Sequence, residues 1–219
     1  MSTPAAHEDE DSPWLTRRTG LTATAAPDTR HSERTVLDEA TRPAAAEPAA
    51  DVVFGPRGLS AGGHLIDVHD HYRQELAQVR DVLDRVKAGA TGVGAARGEL
   101  NRMVIRANDW TLGGYCQAQC VSITQHHGME DAGIFPHLRK SQHDLGAVLD
   151  RLEEEHHAIH DLLEAVDAAL IHLVRNPTDF GPITEAVDLL TDTLLSHFAY
   201  EERELIAPLS RHGFYPGQI

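Results

Sequence analysis

Cysteine is nearly missing from these 219 residues; the only two are Cys116 and Cys120. No disulfide framework can be built from them, and a reducing, cytoplasmic compartment is expected. Four apart in a helical pattern, they are too strained for a mutual bond. They read as small buried hydrophobes, with a redox-responsive pair as the alternative. Aromatics are scarce at 5% of the chain, so a core must come from Leu, Val, Ile and Ala. Such a core suits packed helices better than a β-sandwich. Basic residues are outnumbered, 19 Lys and Arg against 34 Asp and Glu, for a formal charge of −15. That balance argues against nucleic acid, whose phosphates need a basic surface, and against anionic membranes. No apolar run approaches the ~18 residues of a membrane span. Arg17 and Arg18 faintly resemble a twin-arginine signal, but TATAAPD after them is no apolar export region. The metalloprotease pattern H-E-x-x-H, a phosphate loop after a strand and a nucleophile triad are also missing.

Histidine, by contrast, is abundant, with 15 copies, of which only His7 and His31 precede residue 57. Residues 1–56 are rich in Ala, Pro, Thr, Asp and Glu and have no sustained period. Such a stretch buries too little apolar surface to offset its ordering entropy. It is predicted to be a disordered acidic extension, with a short helical turn near 36–41, and it offers a surface for a protein partner. Residues 57–219 carry helical periodicity and form the predicted domain.

Four long helices can be traced there. Leu65, His69, Tyr72, Leu76, Val79, Leu83 and Val86 alternate in steps of four and three from Ser60 to Lys87, the seam of a bundle helix. The glycine-rich AGATGVG then marks a loop. A helix running unbroken from Ala95 would place His126 almost 20 Å from the level of His69, at ~1.5 Å per residue. A short extra helix at about 96–106, and a second long helix from about 109 to 134 capped by Asn108 and Asp109, restores the register. Leu112, Cys116, Cys120, Ile123, His127, Glu130 and Ile134 share one side of that helix, and Pro136 ends it. Gly113, Gly114, Gly128 and Gly133 are expensive inside a helix and suggest close packing near the site. The third helix, about 144–174, has Leu149, Leu152, His156, Ile159, Leu163, Val166 and Leu170 as its seam. The fourth, about 182–209, turns Leu190, Leu194, Phe198, Glu201 and Leu205 inward. An antiparallel, up-down-up-down four-helix bundle brings the seam histidines into one layer.

Two phrases sharpen this reading. HHGMEDAGIFPHL at 126–138 and HFAYEERELIAPL at 197–209 each place a His and a Glu four residues apart, His126 with Glu130 and His197 with Glu201. That spacing stacks the two groups on one helix face. With His69, His156 and His160 they make five imidazoles and two carboxylates. A nitrogen-rich set with two carboxylates suits iron, ahead of manganese or zinc, and not magnesium or calcium. Seven ligands exceed the needs of one ion and fit two, bridged by the carboxylates and by an oxo or hydroxo group. A lone seam histidine is usually packing; the same pattern on four helices at one level is not. His127 reads as packing or support behind the ligands, because its counterpart in the second phrase is Phe198; direct ligation is the alternative, since the helical wheel places it more centrally than His126. His71 and His157 read as surface or supporting groups, and His137, His143, His172 and His212 as solvated. Glu153 and His156 form one Glu-x-x-His pair of the ferritin type, but no second stands at a comparable place.

VHDHYRQEL, HHGMEDAGIFPHL, EEEHHAIHDLL and SHFAYEERELIAPL together resemble the hemerythrin-like, or HHE cation-binding, family over about 60–212. The resemblance implies a four-helix bundle around a non-haem di-iron centre. It implies His69 as the first-helix ligand, His126 with Glu130 on the second, His156 with His160 on the third, and His197 with Glu201 on the fourth. Oxygen-carrying members place the last carboxylate five residues after its His, which here is Glu202. Many others place it four after, which here is Glu201, and this argues against simple reversible oxygen carriage. The expected function is binding of O2, NO or a related small ligand as carrier, store or sensor. Turnover of peroxide or NO, and a regulatory module responsive to iron or oxygen, are the alternatives.

Overall fold

The computed structural model describes residues 13–88 and 122–219. Among these, all regular structure is helical. A short helix α1 spans Pro13–Thr19. The long helices are α2, Pro56–Lys87; α3, described from 122 to 141; α4, Gly146–Arg175; and α5, Gly181–His212. The predicted extra helix at 96–106, the caps at Asn108 and Asp109, Gly113, Gly114 and both cysteines lie outside the described residues.

Two apolar clusters show how these helices run. One holds Leu65 near the start of α2, Phe135 and Leu138 late in α3, Leu149 and Leu152 early in α4, and Leu205 and Leu209 late in α5. The other holds Leu76, Ile123, Leu170, Leu173, Ile183 and Val187. Successive described helices therefore point in opposite directions, and the seam histidines fall between the two clusters. The predicted α4 seam, Leu149 to Leu170, is buried throughout, as are Leu190, Leu194, Phe198, Glu201 and Leu205 on α5. No described helix is long and apolar enough to cross a membrane.

Pro136 does not end α3. The helix is α-helical to 129, widens into a π-helical turn at Glu130–Ile134, and resumes over Phe135–Ser141. The Phe135 amide donates to the Glu130 carbonyl, five residues back. Pro136 thus falls in the first turn of the resumed segment, where a missing N–H leaves no gap. π turns concentrate at functional sites, and this one begins at a candidate ligand.

The N-terminal segment differs from the expected disordered extension over 13–55. Leu15 is buried against Ile206 and Ala207 of α5, with Leu21 and Phe54 beside it. Beyond α1 the chain is laid along the bundle as a strap, held mainly by polar anchors. Asp192 accepts from the His31 and Ser32 amides, each at 2.8 Å, and Glu204 accepts from the Ala45 amide at 2.6 Å. The Tyr200 hydroxyl donates to the Pro43 carbonyl at 2.8 Å. Composition undervalued the segment because its partners are buried carboxylates of the bundle rather than apolar surface. Such carboxylates are costly to leave unpaired.

Close packing of glycine also falls elsewhere than expected. A Cβ on Gly128 or Gly133 meets nothing within 4 Å. The tight crossing is between α2 and α5, where a Cβ on Gly58 collides with the Ser210 carbonyl and one on Gly62 comes within 2.9 Å of the Ile206 carbonyl. Gly58→Ala should therefore lower stability by about 1–3 kcal/mol through overpacking. Gly128→Ala should raise it by up to about 1 kcal/mol through helix propensity. Urea unfolding of the metal-free protein reads both, and a neutral Gly58→Ala would contradict the crossing.

Candidate metal centre

The layer between the two apolar clusters is polar and buried. His69 from α2, His126, His127 and Glu130 from α3, His156 from α4, and His197 and Glu201 from α5 are all buried. Their ligand atoms form two groups. His69, His126, Glu130 and Glu201 lie within 4.8 Å of one another, and so do His127, His156 and His197. The groups adjoin. Glu201 lies 3.3 Å from His69 Nε2 and 3.6 Å from His197 Nε2, and Glu130 lies 3.4 Å from His126 Nε2 and 3.7 Å from His156 Nε2. Each carboxylate thus spans from one group to the other.

The Nε2 atoms of all five histidines are buried without a hydrogen-bond partner, as are one oxygen of Glu130 and both of Glu201. Buried polar atoms are normally paired, and a cluster of orphans aimed at one another calls for a cation between them. The opposite ring nitrogens are engaged. Glu202 accepts from His69 Nδ1 at 3.0 Å, Asp131 from His156 Nδ1 at 2.7 Å, and Glu155 from His197 Nδ1 at 3.0 Å. A proton held at Nδ1 leaves the Nε2 lone pair free for a metal.

The electrostatics suit the same purpose. Burial drives His126 down to about 3, and with the neighbouring imidazoles it holds His127 well below the ordinary value. Both imidazoles are therefore neutral at neutral pH. Burial also lowers His197, with Glu155 opposing. At His69 burial acts downward, but Glu201 and Glu202 outweigh it and raise the pKa. Burial and the adjacent Glu201 push Glu130 well up. Burial works against Glu201 too, yet His69, His197 and His126 hold its carboxyl far below the usual range. Two carboxylates this close resist joint ionisation, and a multivalent cation removes that resistance.

Six predicted site residues, His69, His126, Glu130, His156, His197 and Glu201, are brought together. His160 is not among them. Its side chain is 56% exposed and lies 3.4 Å from Glu164. The inward residues of α4 step through Leu152, His156, Ile159 and Leu163, which rotates His160 to the edge of that face. His127, for which the sequence left both packing and ligation open, lies in the layer with His156 and His197, its ring stacked on His156 at 4.0 Å between centroids. Successive residues on α3, His126 and His127, straddle the inward direction, so each reaches one group. Glu202 does not join the groups; it lies behind His69, 2.8 Å from Arg73.

Glu155 was missed. In the run EEEHH it looks like one of several solvated acids, yet it is buried and orients His197. Its position beside the seam residue His156 was the available signal, a weak one.

A cleft of ≈ 610 Å3 between α2 and α3 is lined by Leu65, Val68, Tyr72 and Met129 and reaches His126 and Glu130. A smaller depression of ≈ 250 Å3 on the other side is lined by His127, Asp131, His156, His157 and His160.

The family model for the hemerythrin HHE cation binding domain matches residues 62–209. The chain belongs to this family. Comparison with curated proteins and with solved structures returned no match. Hemerythrin-family membership and the orphaned Nε2 atoms point the same way: these His and Glu groups can hold metal cations.

The depressed His126 makes a pH prediction for the metal-free protein. Unfolded, this imidazole takes a proton near its ordinary 6.5; folded, it resists until about 3. Between those values the unfolded state binds more protons, so stability falls as pH falls. His126→Gln should lose less stability than the wild type between about pH 7 and 5. An equal loss in thermal melts would contradict the shift.

Proposed function

We propose that the chain is a hemerythrin-like non-haem di-iron protein that binds O2, NO or a related small ligand as carrier, store or sensor. The single observation that carries this reading is the set of five inward, unpaired Nε2 atoms around two carboxylates. His127, His156 and His197 would hold one iron, and His69 with His126 the other. Glu130 and Glu201 would span the two. Mostly nitrogen ligands with two carboxylates favour iron, with manganese and zinc behind it. A reduced iron pair would supply electrons and an open coordination position for the small ligand.

The remaining work belongs to the chain. Glu202, Asp131 and Glu155 fix the tautomers and ring planes of His69, His156 and His197. The apolar clusters on either side, with Phe198 stacked on His69 at 4.3 Å, wall the layer above and below. The cleft beside Tyr72 and Met129 supplies a route to His126 and Glu130. The bundle is proposed to be the complete antiparallel four-helix form. A reducing cytoplasm would keep the iron reduced.

Metal analysis and an optical spectrum, taken on protein purified anaerobically and then exposed to air, test the reading. About two irons per chain are expected, with an oxo-bridged charge-transfer band. Glu130→Ala and Glu201→Ala should each lose more metal than Asp131→Ala. Absence of any transition metal after iron-replete expression would overturn the proposal. Stoichiometric, reversible NO binding supports a binding protein, whereas sustained NO consumption with a reductant indicates an enzyme.

A further inference from the structure

The strap reaches the two groups of histidines from behind, through one carboxylate each. Arg42 makes a two-pronged contact with Glu155: Nε donates to Oε1 at 2.7 Å and Nη2 to Oε2 at 2.9 Å. The same Glu155 Oε2 accepts from His197 Nδ1. The third arm of the guanidinium donates to the Ser196 carbonyl at 3.3 Å and hydroxyl at 3.0 Å. Its plane lies over the Tyr200 ring, 4.7 Å from the centroid. Arg42 and Glu155 are 8% and 3% exposed, so the pair is desolvated and geometrically fixed. On the other side the Thr24 amide donates to Glu202 Oε2 at 2.7 Å, while Glu202 Oε1 accepts from His69 Nδ1.

Both carboxylates therefore join a histidine to the strap: Glu155 shares Oε2 between His197 and Arg42 and gives Oε1 to Arg42, and Glu202 gives Oε1 to His69 and Oε2 to Thr24. His156 contrasts with this, because its Nδ1 partner Asp131 comes from the bundle itself. Without Arg42, Glu155 would keep its place behind His197 with no cation to orient it. We propose that Arg42 is a positioning residue of the metal centre, acting through Glu155 on His197, so that the N-terminal strap is part of the site. This rests on the metal reading of the histidine groups and extends it to a segment outside the matched domain, residues 62–209. By linkage, whatever the docked strap adds to metal affinity, the metal returns to strap docking.

The test uses the full chain and Fe(II) alone, without oxygen. Affinity is measured by chelator competition for the wild type, Arg42→Ala, Arg42→Lys and Arg34→Ala. Arg34 serves as the control, since it belongs to the strap but pairs on the surface with Glu185 at 2.8 Å. In parallel, trypsin cleavage after Arg30 and Arg34 is timed in wild-type protein with and without Fe(II). Arg42→Ala should weaken Fe(II) binding roughly 10–100-fold, the usual range for a group that orients a ligand. Arg42→Lys should recover part of the loss, Arg34→Ala should bind within about twofold of wild type, and Fe(II) should slow the cleavage. Folded Arg42→Ala that binds as tightly as wild type, or equal losses for Arg34→Ala and Arg42→Ala, would overturn the inference. If Arg42→Ala does not fold, cleavage rates indifferent to Fe(II) overturn it and slowed cleavage supports it. Wild-type protein that takes up no Fe(II) overturns the metal reading itself, and this inference with it.

Discussion

Two buried carboxylates facing each other across a ring of imidazoles are the constraint on which the rest of this structure depends. Glu130 and Glu201 are 2% and 1% exposed, and three of their four oxygens have no hydrogen-bond partner. Desolvated like charges at this distance strongly oppose folding unless something positive lies between them. Burial and the adjacent Glu201 carboxylate push the Glu130 pKa well up, the signature of that repulsion. A pair of multivalent cations would relieve it fully and would also use the orphaned imidazole nitrogens.

A second tier of charge organises the first. Glu155, Glu202 and Asp131 each accept a proton-bearing Nδ1, and two of the three are themselves held by side chains or amides from distant parts of the chain. Glu155 and Glu202 are drawn below the usual carboxylate range despite burial, because His197 with Arg42, and His69 with Arg73 and the Thr24 amide, overcome it. Charge thus alternates outward from the centre: cation site, imidazole, carboxylate, arginine or amide. In such an arrangement the strap residues and the ligands are one polar network, which is specified only when every member is satisfied.

Much of this was legible in the sequence because helices report their faces directly. The three-four spacing of Leu149 to Leu170 and of Leu190 to Leu205 marked the buried sides of α4 and α5, and the repeated His-Glu spacing marked Glu130 and Glu201. The choice between neighbours was less legible. His127 against His160 turns on a rotation of less than one residue step on α3 and α4, which periodicity cannot resolve. The π turn at Glu130 was hidden for a related reason: its five-residue hydrogen bond leaves no sign in the apolar pattern. The strap was misread as disordered over 13–55 because composition counts apolar burial, whereas its anchors, Arg42 foremost, are polar and their partners lie more than a hundred residues away.

The central claim is that the five histidines divide three and two around two metal ions spanned by Glu130 and Glu201. Anomalous diffraction from crystals of the iron-loaded protein, recorded at the iron edge, tests it most directly. Two peaks are predicted, one against the Nε2 atoms of His127, His156 and His197 and one against those of His69 and His126, with both carboxylates between them. A single peak, or a peak ligated by His160 with His127 turned away, would contradict the account.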